Sequence, residues 1–212
     1  MKGLVLYGAK CTIDIWKSFR KQMEAYDITY VEYPHFVTEK AENFSDITKW
    51  VNHTYQMDTY DFILGHSMGG IIALELLSSM QSNCSKCILI DSILRPTNEF
   101  YQNLMLPANM NYYGKQVLSM IEKESQYYSD SLKKYLQRDD DFTNYVTNIN
   151  VSIYGIYGDR GNANYNNRIK DLCLPKEVAK CINFRFVKNS CHMPMIENSL
   201  ELATIVKDII AE

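Results

Sequence analysis

The chain has 212 residues, 46% hydrophobic and 22% charged, a composition typical of a folded globular protein rather than a disordered or fibrous one. A chain of this length buries about 70% of the surface that its unfolded form exposes, so it needs no disulfide or structural metal. The net charge is −3 and no block of five Lys or Arg residues occurs, which argues against nucleic acid as a partner.

Short apolar runs alternate along the chain with segments of helical period, a pattern typical of a mostly parallel sheet flanked by helices. The first run ends at Gly8, too short for a signal peptide or a membrane span of ~20 residues, so we expect a cytoplasmic protein without a membrane segment. Ser45 is the expected N-cap of the second helix. The pattern predicts strands at residues 3–7, 28–33, 61–64, 87–90, 151–157 and 182–187, and helices at 13–26, 46–56, 68–80, 174–179 and 200–210.

The alternation stops between residues 92 and 148, where no buried strand is predicted. This segment is polar, is interrupted by Pro96, Pro107 and Gly114, and contains seven of the sixteen tyrosines. We expect it to form a small helical cap inserted into an α/β core of residues 1–91 and 149–212. An ordinary helical excursion packed on the sheet edge is the alternative, because Tyr also fills helix-to-core contacts.

The most specific motif is Gly-His-Ser-Met-Gly-Gly at residues 65–70, between a predicted strand and a predicted helix. It matches G-x-S-x-G, in which small residues on either side of the serine let strand and helix cross closely and present the serine on a strained turn. A dinucleotide-binding loop would need a glycine in place of Ser67, and the Gly-Lys-Ser/Thr ending of a P-loop is absent. Ser67 is therefore the candidate nucleophile.

These features resemble the α/β-hydrolase family, and the resemblance covers nearly the whole chain. Residues 4–10, followed by Trp16, are similar to the family's strand and oxyanion loop, with Tyr7 replacing the usual His. The resemblance implies an α/β-hydrolase fold of about six strands in the order 4-3-5-6-7-8 by family labelling, without the family's first two strands. It also implies an oxyanion hole formed by the backbone amides of Ala9 and Met68.

The family's order of nucleophile, acid and histidine points to His192, in the loop before the last helix, as the base that activates Ser67. The other three histidines have structural interpretations. They are His35, His53 and His66.

The triad acid has two candidates. The family usually places it in the turn after the penultimate strand, and Asp159 lies in that turn, although the expected position holds Gly161. Asp91 follows the strand before, where thioesterases of peptide and polyketide synthesis, similar in fold, carry their acid. We favour Asp159 because it lies in a glycine-rich turn, and Asp91 is the alternative.

The resemblance implies a serine-dependent hydrolase of a small-molecule carboxylic ester or thioester, without a cofactor. The Tyr- and Met-rich cap favours an apolar or aromatic acyl group, and we expect Met105, Tyr112 and Tyr113 to contact the substrate. One alternative is an acyl-carrier or acyl-CoA thioesterase, with an acyl carrier protein as partner. The other is a non-catalytic protein of the same fold that binds a small ligand.

The six cysteines are scattered through a chain without an export signal, so we expect free thiols. Cys84 and Cys87 have the spacing of a redox or zinc motif. Neither a second pair nor a histidine cluster lies nearby, and we assign no metal.

Overall fold

The computed structural model describes residues 1–55, 59–79 and 84–212. Its centre is a six-stranded sheet in the order β2-β1-β3-β4-β5-β6, with every neighbouring pair parallel. This confirms the predicted fold class and the strand order. The strands are β1 (Lys2–Leu6), β2 (Asp27–Tyr30), β3 (Phe62–His66), β4 (Lys86–Ile90), β5 (Ser152–Gly158) and β6 (Ile182–Val187).

Helices connect and cover the strands. The predicted first helix is a 3₁₀ turn followed by a short α-helix that already ends at Gln22, and the predicted ends at residues 56 and 80 lie outside the described residues. The α-helices are α1 (Lys17–Gln22), α2 (His35–Thr38), α3 (Phe44–Tyr55), α4 (Met68–Ser79), α5 (Pro107–Asn109), α6 (Lys115–Ser125), α7 (Asp130–Tyr135), α8 (Thr143–Thr147), α9 (Lys176–Lys180), α10 (Pro194–Glu197) and α11 (Ser199–Ala211). The 3₁₀ turns are Ile13–Trp16, Glu99–Tyr101 and Lys170–Leu172, and Met110–Gly114 forms a π turn.

Ser45 is not an N-cap, because α3 begins one residue earlier, at Phe44. Its hydroxyl instead donates to the Glu75 carboxylate at 2.5 Å, and Thr48 donates to the same carboxylate at 2.8 Å. The polar face of α3 is therefore fastened to α4.

The strand order determines which face of the sheet each helix covers. From β1 the chain moves one way to β2, and from β3 onward it moves the other way to β6. Because parallel crossovers are right-handed, the helix after β1 lies on the opposite face from the helices after β2 and β3. Accordingly, α1 packs with α11, and α3 packs with α4. The order reverses between β1 and β3, and open α/β sheets bind ligands beyond the strand ends at such a point.

The central strands owe their position to their nearly continuous apolar sequences. All five residues of β3 and four of the five in β4 are buried, as expected for parallel strands that are covered on both faces. None of the helices in the described part of the chain is both long and apolar enough to cross a membrane.

Residues 92–148, all of which the structure describes, contain no strand and include α5 to α8. This 92–148 segment is tied by hydrogen bonds to Thr38, the last residue of α2. Ser129 N–H donates to the Thr38 carbonyl oxygen at 3.0 Å, and the Thr38 hydroxyl donates to the Tyr127 carbonyl oxygen at 2.7 Å. The segment is therefore anchored to the core some distance from its two ends.

Candidate active site

Four connections bring the predicted site residues to the carboxyl edge of the sheet. The loop after β1 carries Ala9, and the turn after β3 carries Ser67. Asp91 directly follows β4, and the loop after β6 carries His192. Residues far apart in sequence therefore meet at the edge where the strand order reverses.

Ser67 is the single residue between β3 and α4, and its φ of 52° lies in the left-handed region, a strained conformation for a serine. A Cβ on Gly65 would lie 2.2 Å from the Gly69 carbonyl oxygen, and one on Gly70 would lie 2.0 Å from Ser92 Oγ. Only glycines allow strand and helix to cross this closely. The turn therefore has the strand, turn and helix geometry that the motif requires, with a half-buried Ser67 at its apex.

Asp91 and His192 form a hydrogen-bonded pair next to this turn. Asp91 is fully buried, and its Oδ1 lies 3.1 Å from Nδ1 of His192, whose side chain is 23% exposed. A carboxylate only accepts hydrogen bonds, so Nδ1 is the donor and the neutral imidazole keeps its lone pair on Nε2. The His192 amide donates to the Leu104 carbonyl oxygen at 3.1 Å, so the 92–148 segment also holds this loop.

His66 joins the serine turn to the His192 loop. Its Nε2 lies 2.9 Å from the His192 carbonyl oxygen, which can only accept, so Nε2 carries the proton. The two imidazole rings lie 4.8 Å apart between centroids. His66 thus makes a structural contact, consistent with its expected role. Because His66 directly precedes Ser67, this contact holds the His192 loop next to the serine turn.

The structure brings Asp91, and not the favoured Asp159, to His192. Asp159 Oδ1 accepts hydrogen bonds from the amides of Gly161 and Asn189, both at 2.8 Å. This carboxylate therefore cross-links the turn after β5 to the loop after β6. We correct the preference for Asp159 accordingly, because its acceptor oxygen serves backbone amides on both sides of the site.

Sequence reasoning missed Arg160, which forms a buried ion pair with Asp91. Its Nη1 lies 2.7 Å from Asp91 Oδ2, and its Nη2 lies 2.7 Å from Oδ1. Burial alone would raise the pKa of Asp91, but the Arg160 charge and the hydrogen bonds from His192 and Arg160 hold that pKa well below its ordinary value. Asp91 is therefore ionised. A Gly-Asp-Arg-Gly turn carries no local signal of a partner 69 positions away.

The loop after β1 is held in shape by three tyrosines. The Tyr7 hydroxyl accepts from the Tyr33 amide at 2.8 Å, and their rings lie 4.4 Å apart, so the residue that replaces the family's His packs inside the core. Lys10 has a φ of 56°, and its amide donates to the Tyr128 hydroxyl of the 92–148 segment at 2.9 Å. Ala9 lies between these two fixed points.

A pocket of about 220 Å³ opens beside Ser67, Ala9 and Met68. Residues from the core and from the 92–148 segment both line it, so the segment forms part of the wall. Its apolar lining includes Phe44, Ile71, Ile93, Leu136 and Phe142, and its charged lining consists of Arg95, Arg138, Asp139 and Asp140.

The three residues expected to contact the substrate lie elsewhere. Met105 is buried in the core with 4% exposure, and Tyr112 is 84% exposed. Tyr113 lines a separate pocket of about 300 Å³ together with Thr12 and Met120. None of the three is among the described residues that line the Ser67 pocket. Both tyrosines lie on the π turn Met110–Gly114, outside the lining of the Ser67 pocket.

This sheet order, with a serine turn after β3 and a histidine loop after β6, defines the α/β-hydrolase fold. Solved structures of that fold match almost the whole chain. A bromoperoxidase from Bacillus anthracis has a TM-score of 0.77 and 12% identity, covering 100% of this chain and 92% of that one. A putative lipase from Acinetobacter baumannii AYE has a TM-score of 0.73 and 17% identity, covering 99% of this chain and 83% of that one. A thioesterase domain from the curacin biosynthetic pathway has a TM-score of 0.69 and 13% identity, covering 98% of this chain and 90% of that one.

At these identities the likeness establishes the fold. By sequence, no protein-family model and no curated protein matches the chain. The chemistry of the chain therefore depends on the residues of the site itself.

Proposed function

We propose that the chain is a serine hydrolase that cleaves a carboxylic ester or a thioester through an acyl-enzyme on Ser67. The observation that carries the proposal is the hydrogen-bonded pair of Asp91 and His192 next to the strained turn of Ser67. The hydrogen bond from His66 to the His192 carbonyl oxygen supports it, because it ties the imidazole-bearing loop to the residue before the serine.

In this mechanism His192 acts as base and then as acid. Asp91 accepts a hydrogen bond from Nδ1–H, which stays protonated, so Nε2 is free to take the proton from Ser67 Oγ as that oxygen attacks the acyl carbonyl. The same proton then passes to the leaving alcohol or thiol as its bond to the acyl carbon breaks. In the second half, water attacks the acyl carbonyl and gives a proton to His192, which passes it to Ser67 Oγ as the acyl–oxygen bond breaks, so that the acid and the free serine are released.

The oxyanion of each tetrahedral intermediate would be held by the backbone amides of Ala9 and Met68. Both residues line the pocket that contains Ser67. Met68 is the first residue of α4, where amides have no acceptor within the helix and the helix dipole favours negative charge. The Tyr128 bond to Lys10 supports a fixed position for the Ala9 amide.

The size and lining of the pocket support a short, apolar acyl group. Its volume of about 220 Å³ is smaller than the ~300–1,000 Å³ that is usual for sites of drug-sized ligands. The side chains of Phe44, Ile71 and Phe142 offer apolar walls. The charged lining residues favour contact with water or with a polar leaving group.

The test is substitution of Ser67 with Ala, read out by hydrolysis of short-chain p-nitrophenyl esters and by labelling with a fluorophosphonate. We expect both signals to be lost, while replacing the exposed Ser131 with Ala leaves both unchanged. Turnover or labelling that persists in the Ser67 variant would sink the assignment. Tight ligand binding by a wild-type chain that never turns over would favour the non-catalytic alternative.

A thioesterase acting on acyl-carrier or acyl-CoA substrates is the second candidate. It is favoured by the pairing of His192 with Asp91, since thioesterases similar in fold carry their acid after the same strand. Comparing kcat/KM for p-nitrophenyl esters with kcat/KM for acyl-CoA of equal chain length separates the two. A clear preference for the thioester would select the second candidate and would make an acyl carrier protein a partner to test.

A further inference from the structure

We propose that Arg160 is a positioning residue of this site, which holds the Asp91 carboxylate so that Oδ1 faces the Nδ1 proton of His192. The inference rests on the proposed function, because it assigns Arg160 a task within the same reaction. It adds a fourth side chain to the three that the resemblance implies.

The carboxylate of Asp91 is held at four points. Arg160 donates Nη1–H to Oδ2 and Nη2–H to Oδ1, both at 2.7 Å, in the two-pronged geometry that fixes a carboxylate plane. Gly158 N–H donates to Oδ2 at 2.9 Å. His192 takes the remaining place on Oδ1. Since a carboxylate has about four acceptor positions, the group cannot rotate without breaking a hydrogen bond.

Arg160 is itself rigid. Its side chain is 3% exposed, its guanidinium lies 4.4 Å from the centroid of the Tyr101 ring, and Nη1 also donates to the Gly158 carbonyl oxygen at 2.9 Å. Its backbone has a φ of 55°, and its amide donates to the Ser190 carbonyl oxygen at 2.9 Å. The turn keeps this strained conformation because Asp159 cross-links it to the neighbouring loop.

Charge explains why the site needs a cation here. A fully buried carboxylate beside a neutral imidazole would be strongly disfavoured, and the buried guanidinium compensates its charge. Asp91 thereby stays an acceptor for His192 before the imidazole becomes charged. A lysine would supply the charge without the two-pronged hold, because its ammonium is a single point.

The turn that supplies Arg160 is the one in which the resemblance places the triad acid. In this chain that turn carries the partner of the acid, while the acid itself follows β4. The two halves of the ion pair therefore come from neighbouring strands, β4 and β5. An ion pair that served only stability would not need Asp91 Oδ1, which accepts from Arg160, to face the His192 imidazole as well.

The first test compares Arg160→Met and Arg160→Lys with Arg168→Met. Arg168 is a matched control, since its guanidinium also lies over an aromatic ring, that of Phe186 at 4.1 Å. We expect Arg160→Met to lower kcat by about 10²-fold with little change in KM, Arg160→Lys to fall between, and Arg168→Met to match wild type. Wild-type kcat in a folded Arg160→Lys or Arg160→Met variant would overturn the proposal.

A double-mutant cycle separates positioning from a general structural effect. In an Asp91→Asn background, Arg160→Met should cause no further fall in kcat, because the two residues act as a unit. The acidic limb of the pH profile of kcat/KM should also move to higher pH in Arg160→Met, since the unpaired Asp91 then protonates more readily. Losses that multiply in the double variant would contradict the inference.

A readout that does not depend on turnover keeps this proposal distinct from the proposed function. The His192 Nδ1 proton, assigned by its absence in His192→Gln, should give a downfield NMR resonance in wild type and in Ser67→Ala. We expect that resonance to be lost in Arg160→Met and retained in Arg168→Met. If it persists in Arg160→Met, Arg160 does not position the pair, whatever the enzyme assays show.

Discussion

His66 and His192 are joined by a hydrogen bond of 2.9 Å from the Nε2 of the first to the backbone carbonyl oxygen of the second. The other ring nitrogen of His66 is buried and has no hydrogen-bond partner within the described residues. Burial, with repulsion from His192, lowers the pKa of His66 from 6.5 to about 3. A neutral imidazole is therefore built into the turn before Ser67.

This buried imidazole predicts that the protein loses stability on acidification. The unfolded chain binds a proton at this ring below about pH 6.5 and the folded chain only near pH 3, so the free energy of unfolding falls between these values. The slope from this group is at most about 1.4 kcal/mol per pH unit. Urea unfolding from pH 4.5 to 7.5 should show a shallower slope for His66→Gln, which keeps an amide donor for the His192 carbonyl. Equal slopes would contradict the prediction.

Replacing each of the two acid candidates with Asn should affect kcat very differently. Asp91→Asn removes the charge that faces His192 and places an amide there, so we expect kcat to fall by about 10⁴-fold, as for the comparable change in serine proteases. Asp159→Asn keeps an oxygen acceptor for the Gly161 and Asn189 amides, so its kcat should stay within a few-fold of wild type. Steady-state kinetics on folded variants decides, and a larger loss at Asp159 would restore it as the acid.

Local patterns predicted most of the architecture and the serine turn. The strands are visible as apolar runs, and Ser67 lies in a motif whose first glycine, Gly65, is required by a backbone contact only four residues away, with Gly69. The acid could not be selected this way, because Asp91 and His192 are 101 positions apart and both candidate loops end at the same sheet edge. Arg160 could not be identified from the sequence for the same reason, since its partner Asp91 lies 69 positions away.

The residues that line the Ser67 pocket could not be selected from the sequence for a different reason. The tyrosine-rich 92–148 segment does contain α5 to α8 and no strand, but enrichment in tyrosine does not say which face of a short helix meets the core. Tyr112 and Tyr113 lie on a π turn that exposes them, while Tyr128 is buried against Lys10. Orientation in such a segment depends on tertiary packing, which local sequence does not determine.

Tyr128→Phe should loosen the loop that carries Ala9. The substitution leaves the Lys10 amide without its acceptor in a partly buried turn of positive φ, and an unmet donor of this kind costs about 1–3 kcal/mol. We expect a lower kcat for ester hydrolysis with little change in KM, since the oxyanion matters most in the transition state. Tyr127→Phe is the control, because the Tyr127 ring stacks on His35 at 3.6 Å and phenylalanine keeps that stacking. Equal kinetics in the two variants would argue that the Tyr128 hydroxyl does not hold the loop that carries Ala9.

Two glycine-to-alanine substitutions test whether the serine turn depends on close backbone approach. A Cβ on Gly65 would lie 2.2 Å from the carbonyl oxygen of Gly69, and the other nearest atoms are also backbone atoms, of Gly69 and Gly70, which cannot give way as a flexible side chain can. A Cβ on Gly114 would lie 2.9 Å from Met110 Cε, the flexible end of a side chain, and Gly114 has helical backbone angles that favour alanine by about 1 kcal/mol. We expect Gly65→Ala to lower the free energy of unfolding in urea by more than about 3 kcal/mol, and Gly114→Ala to change it by less than about 1 kcal/mol. A stable Gly65→Ala variant would mean that strand and helix can separate at this turn without cost.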